Sequence, residues 1–369
     1  MALKQERNYG IDLLRMVAML LVVVLHVLGQ GGVLAHTWAY SGQYLIGWYL
    51  EYAAFCSVNL FALISGYVGV RSKCRASNLA VLWLQVFLYS FGIAAVVAIF
   101  RPELCSGADL IEYAFPVITR KYWYFSAYFS LFLFMPLLNA GINALSKQTL
   151  RRVIVAMILV FSVASSAGKE ASHDAFTLVS GYTGLWLMVM YAVGAYIGKY
   201  GMWEKVPQAA LLGIFFGCAA VSLGLRCLVL RISSTVSEPY YLKFVATFNS
   251  PLVVLESIAL LLFFARLRFG AFAGKLIAFF APAAFGVYII HVHPIIWEHL
   301  MRDRFVFIAK VHPLIIAGFV LLSACGVYLA CSLIDLVRVQ LFKLLRIKKG
   351  LSALENKLFK EKEEIGTRK

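Results

Sequence analysis

Several ionisable side chains sit in stretches otherwise made of Leu, Val, Ile and Phe: Asp12, Arg15, His26, Glu256, His291 and His293. Such groups are costly in hydrocarbon, so they face protein or water and often mark a functional site. His26 follows Arg15 by eleven residues, and on an α-helix that separation returns to within about 20° of the same face, roughly 16 Å further along the axis. Asp12, three residues before Arg15, lies on the edge of the same stripe. Asp12 and Arg15 near a helix start also fit a snorkelling surface pair. An imidazole that titrates near neutrality suits general-base chemistry. A helix-bonding or interfacial histidine is the alternative.

Other segments carry weaker signals. The turn Val70-Arg71-Ser72-Lys73-Cys74-Arg75 gathers cations that could grip phosphate oxygens; the same cluster is ordinary for a cytoplasmic loop. Asn59 and Ser65-Gly66-Tyr67 place polar and small groups where close helix packing would also use them. Tyr122-Trp123-Tyr124-Phe125 reads as an interfacial aromatic belt. In Gly286-Val287-Tyr288-Ile289-Ile290-His291-Val292-His293-Pro294, a spacing of two sends the histidines to different sides of a helix, which argues against a metal pair, and Pro294 marks a kink or end. The cysteines are scattered without a C-x-x-C spacing, so no disulfide framework or metal site follows from them.

The elements that must position these groups are membrane helices. Hydrophobic residues make up 62% of the 369 positions and charged residues only 14%, with a mean hydropathy of +0.82. A crossing needs roughly 20 mainly apolar residues, and such stretches recur near 11–28, 48–70, 79–99, 123–142, 153–167, 176–197, 209–230, 241–265, 276–296 and 313–333. The expected fold is therefore an all-α, polytopic membrane bundle of about ten helices, since no alternating barrel pattern is present. Placing the N-terminus inside puts Arg71, Lys73, Arg75, Lys147, Arg151, Arg152 and the basic tail on the cytoplasmic side, in accord with the positive-inside bias. Both termini are then cytoplasmic in a multi-pass cell-membrane protein. Residues 1–345 form one membrane domain, and residues 346–369 a basic tail that is either a charged helix at the membrane surface or disordered. Topology and anionic lipid account for the net charge of +16, so nucleic acid is not an expected partner. Asp12 and Arg15 inside the first stretch mark it as a retained helix rather than a cleaved leader.

With these residues in view, the chain resembles bacterial acyltransferase family 3, membrane enzymes that O-acylate surface carbohydrates. The resemblance rests on Tyr9-Gly10-Ile11-Asp12-Leu13-Leu14-Arg15 followed by His26, then Ser65-Gly66-Tyr67, Arg71 and Arg75, Trp123-Tyr124 and Tyr288-Ile289-Ile290-His291 in order. It extends to about Leu345. It implies transfer of an acyl group, usually acetyl, from cytoplasmic acyl-CoA to a hydroxyl of a carbohydrate or lipid-linked acceptor at the outer face, without a metal. Carried over by position, His26 is the catalytic residue, Arg15 its essential partner beside Asp12, and Arg71 and Arg75, with Lys73 between them, hold the CoA phosphates. The soluble hydrolase-like domain of larger relatives is not found in this sequence, and the Arg71 to Arg75 spacing is one residue wider than the Arg-x-x-Arg of better-known members. A transporter or flippase of a small polar solute or lipid-linked sugar, using the same stripe as a pathway, is the competing expectation.

Overall fold

Asn8 starts the first helix: its side-chain oxygen accepts from the backbone N–H of Gly10 at 2.9 Å and of Ile11 at 3.3 Å, satisfying donors that a helix start leaves open. Its amide also donates to the carbonyl of Ala265, 3.0 Å away, which fixes the depth of this helix against a distant part of the chain. The computed structural model describes residues 7–72, 74–166, 174, 176–232 and 247–366.

In chain order the helices are α1 (Tyr9–Leu28), α2 (Gly42–Gly69), α3 (Ala76–Phe100), α4 (Gly107–Ala114), α5 (Trp123–Ala144), α6 (Lys147–Ile158), α7 (Gly184–Tyr200), α8 (Gln208–Ile232), α9 (Pro251–Ala265), α10 (Ala271–Phe280), α11 (Ala284–His291), α12 (Pro294–Ile296), α13 (Pro313–Leu344) and α14 (Ile347–Gly366). No strand occurs among the described residues. Among the described residues, seven elements are long and apolar enough to cross a membrane: α1, α2, α3, α5, α8, the continuous α10–α11 run and α13. The expected count of about ten is therefore supported for seven. The other three expected crossings fall on α6, α7 and α9. The first begins with Lys147, Arg151 and Arg152 and continues as a π-helical turn over Leu159–Ala164. The second carries Lys199; the third is an apolar helix of 15 residues, and the start of that expected span, residues 241–246, lies outside the described residues.

At the centre, α2 packs on α1, α7, α8, α9 and α13. Its approach to α7 is set by small residues. A Cβ on Gly66 would lie 2.0 Å from the Tyr191 carbonyl oxygen, one on Gly194 2.0 Å from that of Leu63, and one on Gly198 2.4 Å from that of Tyr67. Membrane helices associate through such backbone proximity because lipid tails give no hydrophobic drive between them. Buried Asn59 adds a polar lock: its Nδ2 donates to the Phe248 carbonyl at 2.7 Å, and its Oδ1 accepts from Trp186 Nε1 at 2.8 Å. Asn59 and Gly66 are thus occupied by packing.

On the periphery, α13 is tied to α3 through buried Asp335. Its carboxylate takes both Nε and Nη2 of Arg338, at 2.9 and 2.6 Å, and the Tyr89 hydroxyl at 2.9 Å. After α13 the chain turns through Arg346, which adopts a positive φ of 51°, and α14 folds back onto α3. Glu355 accepts from the backbone N–H of Ala76 at 2.8 Å. It thereby caps a helix whose own N-cap residue, Arg75, makes no side-chain cap. The Ser77 hydroxyl, together with the backbone N–H groups of Ala76 and Ser77, holds the Glu355 carboxyl below its ordinary value.

Candidate functional site

The last turn of α1 carries His26, and Gly29 ends the helix with its N–H returned to the Leu25 carbonyl at 2.8 Å. This places the imidazole at the end of the bundle opposite Asn8. There it lines a cavity of about 510 Å³, with Glu51, Phe55, Val58 and Phe61 from α2, Trp123 and Tyr124 opening α5, and Phe285 and Tyr288 from α11. Gly29, Gln30, Lys121, Pro294, Trp297 and Glu298 complete the wall on the side where α1 ends.

His26 is held by a second histidine. Its Nδ1 lies 2.8 Å from Nε2 of His291, and Nδ1 of His291 lies 2.6 Å from the Val287 carbonyl. A carbonyl only accepts, so His291 Nδ1 carries hydrogen and, in the neutral ring, Nε2 is a lone pair. His26 must then donate from Nδ1. Its Nε2 is left as a lone pair, and it has no hydrogen-bond partner among the described residues. Trp297 meets the His26 ring edge-on, with centroids 4.7 Å apart. A base oriented by a second group, with its free nitrogen in a cavity, is the arrangement that activates a hydroxyl or thiol.

The α5 and α11 segments meet at this cavity. The Tyr124 backbone N–H donates to the Tyr288 hydroxyl at 3.4 Å, and Trp123 packs on Tyr182 and Phe248, with centroids 4.4 and 5.9 Å away. Trp123 and Tyr124 are therefore cavity walls rather than only an interfacial belt. The two histidines of the α11 segment separate as their spacing requires. His293, fully buried, accepts from the Ile295 N–H through Nδ1 at 3.3 Å and donates through Nε2 to the Ser90 carbonyl at 3.1 Å. It is spent on capping α12.

Asp12 and Arg15 are not brought to His26. They pair with each other at 2.5 Å, and Arg7 takes the second Asp12 oxygen at 2.5 Å, all at the beginning of α1. Asp12 is buried and paired with both guanidinium groups, so it acts on Arg15 directly and lies at the other end of α1 from His26. Arg15, about one third exposed, stays within electrostatic reach of the Tyr128 hydroxyl, which lies 3.1 Å from Ser65 Oγ. Arg71 donates to the Lys199 carbonyl at 3.3 Å, and Arg75 is exposed at the start of α3. Both sit at the same end of the bundle as Arg15. Lys73 lies outside the described residues. Glu256 is fully buried beside Cys56 and Cys218 and does not line the cavity.

Glu51 is the group that sequence reading missed. It lies inside the second expected span and lines the cavity. One of its carboxylate oxygens is buried without a hydrogen-bond partner among the described residues. Its signal, an acidic residue within an apolar stretch, was the same as that of Glu256. Trp297 and Glu298 had no comparable signal, because they follow Pro294 in what reads as a helix end.

No curated protein and no solved structure matches the chain. Residues 8–334 match the family model described as an acyltransferase domain, a stretch that contains the His26 cavity, the Arg15 ion pair and the Arg71 turn together. The chain belongs to acyltransferase family 3, and it is a membrane acyltransferase.

Proposed function

We propose that the protein transfers an acyl group, acetyl in the simplest case, from acyl-CoA to a hydroxyl of a cell-surface carbohydrate or lipid-linked acceptor, with His26 as general base. The observation that carries this reading is the oriented pair: the bond to His291 engages His26 Nδ1 and leaves Nε2 as a lone pair, on a residue that lines the cavity. In the step we infer, Nε2 takes the proton of the acceptor hydroxyl while its oxygen attacks the thioester carbonyl carbon. The C–S bond then breaks, and the proton on His26 passes to the leaving thiolate, giving the ester and free CoA. No side-chain nucleophile is needed for this balance.

The donor approaches from the other end of the bundle. Arg15, and Arg71 with Arg75, are cations at that end, and the charge bias of the sequence assigns it to the cytoplasm. The nucleotide phosphates stay there while the pantetheine arm follows the α1 stripe to His26, a span of roughly 16 Å from Arg15. The acceptor enters from the side walled by Gln30, Lys121 and Glu298. The test is acyl transfer from radiolabelled acetyl-CoA to a glycan-bearing membrane fraction by purified protein. His26→Ala should keep acyl-CoA binding and thermal stability and lose transfer by about 10²–10⁴-fold. Full transfer by His26→Ala would remove this residue from the reaction, and an unfolded variant would assign it to packing.

A further inference from the structure

Where α13 gives way to α14, a second hollow of about 470 Å³ opens on the periphery of the bundle, at the end that carries Arg15. Its walls are Val81 of α3, Pro282, and Val339 and Phe342 of α13; its rim is Arg338, Lys343, Arg346, Lys348 and Lys349. No carboxylate lines it among the described residues. Arg338 is neutralised by Asp335, but Lys343, Arg346, Lys348 and Lys349 form no ion pair among the described residues. Several other cations at this end of the bundle are engaged. Arg7 and Arg15 share Asp12, Lys199 donates to the Ile142 carbonyl at 3.0 Å, and Arg266 donates to the carbonyls of Val206 and Trp203 at 2.6 and 2.5 Å. Four like charges with no ion pair among the described residues, set around one concavity, repel one another, and an anion seated among them removes that repulsion.

The walls and the setting specify which anion. Apolar side chains floor the hollow, and the adjoining face of α13 exposes Val337, Leu341, Leu344 and Leu345, a surface suited to acyl chains. None of the lining residues lines the His26 cavity, and none is Arg15, Arg71 or Arg75, so the hollow is separate from the residues assigned to the donor. We propose that this hollow is a binding site for an anionic phospholipid, with the phosphate held by Lys343, Arg346, Lys348 and Lys349 and the chains along Val81 and Phe342. The lipid would bridge α13, α14 and α3 and so hold α14 in the position where Glu355 caps α3.

The experiment is native mass spectrometry of the full-length, delipidated protein in detergent, titrated with phosphatidylglycerol or with phosphatidylcholine of the same chains. Phosphatidylglycerol should occupy one site at a concentration at least about tenfold lower. In the variant Lys343→Gln/Arg346→Gln/Lys348→Gln/Lys349→Gln that preference should fall to within about twofold, whereas Lys147→Gln/Lys205→Gln should keep it. Equal binding of the two lipids, an unchanged preference in the quadruple variant, or an equal loss in the control pair would overturn the proposal. So would displacement of phosphatidylglycerol by free CoA, which would give the hollow to the donor. Should the quadruple variant fail to fold, a photoactivatable phosphatidylglycerol on the wild-type protein decides the matter: crosslinks within residues 338–349 support the site, and crosslinks confined elsewhere refute it.

Discussion

Replacing His291 separates the orientation of the proposed base, His26, from the base itself. In His291→Ala the Nδ1–H of His26 loses its acceptor, now 2.8 Å away, the one partner it has among the described residues. Leaving a buried donor unsatisfied costs about 1–3 kcal/mol, and the ring can relieve this by moving its hydrogen to Nε2 or by turning away. Either response withdraws the lone pair from the cavity. At about 1.4 kcal/mol per factor of ten, kcat should fall roughly 5- to 150-fold, less than the loss expected for His26→Ala. His291→Gln, whose Oε1 can accept the same hydrogen, should be at least about threefold more active than His291→Ala. The assay is CoA release at saturating acetyl-CoA with the glycan-bearing membrane fraction, with thermal unfolding of each variant measured in parallel. A His291→Ala protein with wild-type kcat would refute the tautomer argument. So would one no better than His26→Ala, with His291→Gln equally inactive, because His291 would then act as more than an orienting acceptor.

Four further outcomes follow from the geometry. Asp12→Asn leaves Arg7 and Arg15 facing each other without a carboxylate, and should destabilise the protein by about 1–3 kcal/mol, discounted for the exposure of both arginines; an unchanged unfolding temperature would make the pair a surface ornament of α1. Gly66→Ala drives a Cβ toward the Tyr191 carbonyl, where the available separation is 2.0 Å, and should cost about 1–3 kcal/mol as overpacking between α2 and α7, read as a lower unfolding temperature. Arg71→Gln/Arg75→Gln should raise the Kd for acyl-CoA at least about tenfold if the two guanidinium groups hold its phosphates, and calorimetry showing unchanged affinity would return them to the role of topology signals. Because hydrogen bonding holds the Glu355 carboxyl below its ordinary value of 4.5, its contribution to docking α14 is fully present above that value and is lost as pH falls through the lowered range. Protection of the α14 amides, taken relative to their intrinsic exchange rates, should therefore decline below about pH 4.5 in the wild-type protein and be low already at neutral pH in Glu355→Gln.

What the sequence alone determined was the chemistry of single helices. Length and hydropathy required an all-α membrane bundle, and the eleven-residue spacing put Arg15 and His26 on one stripe, because helical periodicity is a local property. The family followed from residues whose order along the chain is itself the signal. The sequence could not say what His26 faces. Its partner lies 265 positions away, and only the packing of α11 against α1 chooses His291 over His293, two histidines that look alike in sequence and differ in which side of a kinked helix they occupy. Likewise Glu51 and Glu256 are both acids inside apolar stretches. Which of them opens onto the cavity is decided by how α2 and α9 are turned in the bundle, a choice fixed by glycine contacts and by the Asn59 lock between distant segments. The same holds for the tail: its charges were plain, but the cap that Glu355 places on α3 and the hollow beneath Lys348 exist only because the chain turns back at Arg346. Tertiary packing decides these points because each depends on two surfaces meeting, and hydropathy records only whether a surface is apolar.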